Sequence, residues 1–153
     1  MKETARIADQ LSRAYSGKAW HGPSLRTLLR GVIATQAAQR PIPNAHTIWE
    51  LVLHTAAWDR VVCERILGGK TTKLPPEQNF PTVTDTSEAA WKKALKELDK
   101  QHRALEAAML KFPPAKLDRN LSGGDYTFYI TMHGAVQHDL YHAGQIAILK
   151  KLV

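Results

Sequence analysis

Three histidines carry the spacing of a metal site. His138 and His142 stand at i and i+4 within His133-Gly-Ala-Val-Gln-His138-Asp139-Leu-Tyr-His142-Ala-Gly-Gln145-Ile146. On a helix their rings project from one face, one turn apart, and can share one ion. The third, His54, lies in the middle of Leu51-Val-Leu-His-Thr-Ala-Ala-Trp58. At 100° per residue it shares a stripe with Thr47, Glu50, Leu51, Trp58 and Val61. A polar residue at the centre of an apolar stripe faces a core and needs a partner there. Three imidazoles that leave positions open on the ion form the donor set of a catalytic rather than a closed structural site. A histidine on an apolar face is more often a hydrogen-bonded core residue, and spacing alone leaves the two readings evenly balanced.

Asp139 stands three residues before His142, where it could accept the other ring N–H and fix the tautomer from a second shell. A plain helix-surface aspartate is the competing reading. His138-Asp139-Leu-Tyr-His142 also has the outline of the zincin motif H-E-x-x-H, with Asp for Glu. A protease of that type needs a third ligand downstream. The eleven residues after His142 contain no His, Asp or Glu, which excludes it.

The remaining candidates fall away one by one. His133 is about 140° round the helix from His138 and lies toward Tyr129, Val136, Leu140 and Ala147. His21 in a turn, His46 beside a capping box and His102 among charges read as ordinary structural or solvated residues. Glu50 could reach the His54 side, but pairing with Thr47 explains it. Cys63 is about 180° round from His54 and reads as a packed thiol.

The elements that must position the trio are long helices. Residues 2–16 carry Ile7, Leu11 and Tyr15 at four-residue spacing. After the Trp20-His-Gly-Pro23 turn, Ser24–Val32 resumes a helix with Pro23 at its start. Thr47-Ile-Trp-Glu50 is a capping box that opens a second long helix, stopped by Gly68-Gly69. Residues 70–84 hold three prolines and read as a long loop that could cover a pocket. Asp85-Thr-Ser-Glu88 opens a third helix, which ends before Pro113-Pro114. Asp125 is the expected N-cap of the fourth. Four long helices without strand signals predict an all-α fold, a four-helix bundle. Its last helix carries a single formal charge between Tyr126 and Leu149, so it is buried nearly all round or forms part of a homodimer seam.

The 153 residues suit one domain, 1–153, with a core that needs no staple. A single cysteine rules out an intramolecular disulfide framework and suits a reducing cytosol. The first residues, MKETARIADQL, lack the apolar core of a secretory signal, so a cytoplasmic location is expected. The 126–149 run has bilayer-spanning length, but its His, Asp and two Gln residues and a mean hydropathy of −0.32 argue against a membrane. The net charge of +7 is spread along the chain with no nucleic-acid motif, so no nucleic-acid partner is expected.

The segments Trp20-His-Gly-Pro-Ser-Leu25, Ile48-Trp-Glu-Leu-Val-Leu-His54-Thr-Ala-Ala-Trp58 and His133–Ile146 together resemble the DinB/YfiT-like family of metal-dependent bacterial proteins. The resemblance spans nearly the whole chain, is most specific at His138-x₃-His142 and is looser in the third helix. It implies a four-helix bundle, often homodimeric, with one histidine from the second long helix and two from the last holding a metal. Those positions match His54, His138 and His142. Related bundles include bacillithiol-using thiol transferases and mycothiol-dependent isomerases. The resemblance therefore points to a metal-dependent transferase or hydrolase with Zn²⁺ or Ni²⁺, moving a low-molecular-weight thiol or water onto an electrophilic small molecule. A metal-binding sensor without catalysis is the main rival, and a basic nucleic-acid-binding protein a more distant one.

Overall fold

A computed structural model describes residues Met1 to Val153. Four long helices dominate it: α1 (Glu3–Tyr15), α4 (Ile48–Gly68), α6 (Glu88–Lys111) and α7 (Phe128–Leu149). Three short ones fill the connections: α2 (Leu25–Leu29), α3 (Ala34–Ala38) and α5 (Pro76–Asn79). The predicted capping box is present: Thr47 Oγ1 accepts from the Glu50 amide at 3.1 Å, and Glu50 Oε2 accepts from the Thr47 amide at 2.9 Å. Gly69 closes α4 in the left-handed conformation, φ 68°, which costs glycine little.

Other boundaries differ from the sequence expectation. Ser24 caps α2, so Pro23 falls before the helix rather than inside it. Ser87, not Asp85, caps α6; Asp85 instead accepts from the Ser87 amide. Thr127 rather than Asp125 caps α7, its hydroxyl accepting from the Ile130 amide at 3.1 Å. Asp85-Thr86-Ser87 and Asp125-Tyr126-Thr127 each offer more than one capping residue, and the turn geometry chooses among them. The helices α3 and α5 have no counterpart in the hydrophobic periodicity because they are a single turn or little more.

Around the bundle, α4 packs against α6 and α7, and α1 packs against the same two, so α1 stands diagonally opposite α4. Two apolar clusters form the core. One gathers Ile7 and Leu11 of α1, Ile66 of α4, Met109 of α6 and Met132 of α7. The other gathers Tyr15, Leu51, Trp91, Leu98 and Ile146. Following each helix from one cluster to the other gives the directions: α1 and α7 run one way, α4 and α6 the other. The bundle is up, down, down, up.

That topology explains the long segment after α4. Because α4 and α6 are parallel neighbours, the chain must return along the full bundle length before α6 can start. At about 1.5 Å per residue, the 21 residues of α4 make that return about 31 Å. Residues 70–87 cover it, pass over the middle of α4 and fold into α5 on the way.

Between the two clusters the bundle carries polar residues at mid-height. Asp59 of α4, His102 of α6 and Asp139 of α7 are 1%, 2% and 0% exposed. His102 is therefore buried, not solvated among the charges that surround it in sequence. Its ring stacks on Tyr15 at 3.8 Å. Cys63 is buried, as its place on the wheel predicts.

Candidate metal centre

The three histidines meet. His138 Nε2 lies 3.0 Å from His54 Nε2 and 3.1 Å from His142 Nε2. Two bonds of 2.0–2.1 Å to one ion hold their nitrogens about 2.8–3.4 Å apart at tetrahedral or octahedral angles, so the spacing matches a shared cation. All three ligand atoms lie within 4.8 Å of one another. His54 comes from α4, His138 and His142 from α7, and the meeting depends on these two helices being neighbours.

The outer ring nitrogens settle the tautomers. His54 Nδ1 donates to the carbonyl of Asn79 at 2.8 Å, and His142 Nδ1 donates to Gln145 Oε1 at 2.6 Å. An imidazole that is neutral and carries its proton on Nδ1 has a lone pair on Nε2. Two of the three converging nitrogens are thus lone pairs, and His138 Nε2 can offer its single proton to only one of them. A divalent cation satisfies all three at once.

Electrostatics keep the rings neutral. Burial pushes His54 down to about 4, with the His142 ring adding to the effect. Burial, then the other two imidazoles, push His138 down to about 3. His142 is lowered by burial as well, against the opposing Gln145 hydrogen bond. At neutral pH all three are unprotonated, the form in which imidazole binds metal.

The crossover supplies the walls. The Phe80 ring lies between two imidazoles, stacked on His54 at 4.1 Å and on His46 at 3.6 Å. Asn79 uses both its groups, since its side-chain Oδ1 accepts from Trp58 Nε1 at 2.9 Å. His46 itself bonds Glu50 Oε2 at 3.2 Å. The segment 70–84, expected as a loop that could cover a pocket, does lie against the site.

Asp139 takes neither of the two places expected for it: it is fully buried rather than on the helix surface, and it does not orient His142. Neither of its carboxylate oxygens has a hydrogen-bond partner, and Gln145 occupies the His142 Nδ1 position. On α7, Asp139 is 60° round from His142, enough to turn it into the core toward His102. Periodicity offered no signal for Asn79 and Phe80, because contact through the crossover is tertiary. Gln145 was visible in principle, one turn beyond His142 on the same stripe. His133 stays outside the trio, its ring beside Tyr129 at 4.4 Å.

A cavity of about 370 Å³ opens beside the trio between α4 and α7, lined among others by Trp58, Arg65, Tyr126, Ile130, Thr131 and His138. Gly134 also lines it, and beyond its own stretch of helix backbone nothing lies within 4 Å of where a Cβ would stand. No helix is long and apolar enough to cross a membrane.

Fold and site together define an all-helical bundle with three imidazoles converging between the second long helix and the last. The DinB superfamily profile matches residues 19–146, and the chain belongs to that superfamily. A solved structure described as the conserved protein of locus from Enterococcus faecalis is similar over 100% of this chain and 98% of its own, with 17% identity and a TM-score of 0.74. At that identity the likeness concerns the fold. No curated protein matches the chain.

Proposed function

We propose that this protein is a metal-dependent enzyme that transfers a low-molecular-weight thiol or water to an electrophilic small molecule. The observation that carries the reading is the convergence of three neutral imidazole nitrogens, 3.0 and 3.1 Å apart, at the edge of a ligand-sized cavity. His54, His138 and His142 are the ligands of Zn²⁺ or Ni²⁺, both suited to imidazole. The cation, when bound, supplies Lewis acidity that lowers the pKa of a thiol or water in its open position. The protein's own residues do the rest. Asn79 and Gln145 hold the His54 and His142 rings in the tautomer that binds metal. Trp58, Tyr126 and Ile130 give the cavity an apolar wall, and Arg65 gives it a cationic group.

The same reading makes the protein a cytoplasmic homodimer. On α7, Ile130, Tyr141 and Ile148 are 48%, 66% and 60% exposed and lie within about 20° of one another on the helix wheel. An apolar stripe of that kind suits a second copy of the chain.

Elemental analysis of untagged protein beside a His138→Ala variant tests the site. One tightly held Zn or Ni per chain, lost in the variant, is expected. Metal-loaded protein is then assayed with several thiols against an aryl halide or epoxide. Turnover dependent on His138 is expected; bound metal without transfer to any electrophile would leave a non-catalytic metal-binding module.

A further inference from the structure

We propose that Asp59, His102 and Asp139 form a second divalent-cation site in the bundle core, separate from the three-imidazole set. The cluster is built from one residue on each of α4, α6 and α7, all at least 98% buried. Five of its polar atoms have no hydrogen-bond partner: Asp59 Oδ2, His102 Nδ1 and Nε2, and both carboxylate oxygens of Asp139. Buried polar groups are nearly always satisfied, and so many orphans at one point mark something that belongs there.

The distances say what. His102 Nδ1 lies 3.5 Å from Asp59 Oδ2 and 3.7 Å from Asp139 Oδ2, too long for good hydrogen bonds. Ligands bound at 2.0–2.2 Å to one ion, at angles between tetrahedral and trigonal, stand about 3.3–3.8 Å apart. One ligand atom from each residue falls within 4.8 Å of the others. Charge agrees with geometry. His102 is the only basic side chain within 4.0 Å of either carboxyl group, so no protein cation offsets the charge the pair would carry when ionised; one divalent ion would.

Two further features complete a site. Tyr15 stacks on the His102 ring at 3.8 Å with 15° between planes, which fixes its orientation. Asp59 also lines the cavity that reaches His138, so the cluster lies directly beside that cavity. Two carboxylates and one imidazole form a harder donor set than three imidazoles, so the ion is of the Mn²⁺ or Fe²⁺ type. Bound there, it ties three of the four long helices together at mid-height, where the apolar core is interrupted.

The test uses Mn²⁺ alone, followed by the loss of its free electron paramagnetic resonance signal. A His54→Ala/His142→Ala protein lacks the three-imidazole site and is expected to bind one Mn²⁺ per chain. Adding Asp59→Asn is expected to weaken that binding at least tenfold. Wild-type protein loaded with one equivalent of Ni²⁺ per chain, which fills the three-imidazole set only, gives the same answer if the double variant does not fold: one further Mn²⁺ per chain, again lost with Asp59→Asn. No Mn²⁺ bound by the Ni²⁺-loaded wild type, or binding indifferent to Asp59→Asn, overturns the site and leaves the two carboxylates sharing a proton. Neither result depends on whether the protein catalyses thiol transfer.

Discussion

His54 Nδ1 donates to the backbone carbonyl of Asn79 at 2.8 Å, a bond that ties a core imidazole on α4 to the middle of the crossover. The bond puts the His54 proton on the outer nitrogen and turns Nε2 toward His138. Removing what holds Asn79 in place should loosen the centre. Asn79→Ala loses the Trp58 hydrogen bond, and Phe80→Ala loses the stack on His54. Partners that orient metal-binding histidines are worth 10–100-fold in metal affinity. Each variant is expected to bind Zn²⁺ about tenfold more weakly in competition with a chelator, with helical content unchanged by circular dichroism.

Gln145 does for His142 what Asn79 does for His54, at 2.6 Å. Gln145→Leu keeps the volume and removes the acceptor. A loss of metal affinity of 10–100-fold is expected, while Gln145→Glu, which still accepts, keeps most of it. Equal affinity in all three proteins would remove Gln145 from the site.

Protons compete with metal for the same nitrogens, and the sign follows from the direction of the shifts. An ordinary histidine titrates near 6.5, so an exposed three-histidine site begins to lose metal as the pH falls through that value. Here burial holds His54 at about 4 and His138 at about 3. Burial lowers His142 as well, so the folded protein is expected to keep its Zn²⁺ affinity to lower pH than an exposed three-histidine site does and to lose it only below the ordinary histidine range. Chelator-competition titrations at each pH measure this; a decline beginning near pH 7 would contradict the shifts.

Gly134 leaves open space on the cavity side of α7. Replacing a helical glycine with alanine gains up to about 1 kcal/mol, so Gly134→Ala is expected to raise the urea midpoint. Gly134→Leu places a branched side chain in the cavity beside His138. Turnover should fall at least tenfold while metal content stays at the wild-type level, a split that separates substrate access from metal binding.

The exposed stripe on α7 predicts a dimer that one charge can break. Tyr141→Glu lies at 66% exposure, away from the core, and is expected to leave thermal stability of the fold intact. Sedimentation velocity should show wild-type dimers and variant monomers. A monomeric wild type would mean that the stripe faces something else or solvent.

Much of this protein was legible along the chain because helices write their periodicity into it. The Thr47–Glu50 capping box, the Gly68-Gly69 stop, the apolar wheel of α4 and the i,i+4 pair on α7 are local patterns, and each local pattern reappears in the structure. The three-imidazole convergence was legible only conditionally, since His54 meets His138 and His142 only if α4 and α7 are neighbours. What the tertiary structure alone decided lies where distant segments touch. The parallel pairing of α4 with α6 forces the long return through 70–87 and so brings Asn79 and Phe80 onto His54. The same packing turns Asp59, His102 and Asp139, far apart in sequence, toward one buried point. Periodicity records which face of a helix is apolar; it does not record which helix that face will meet.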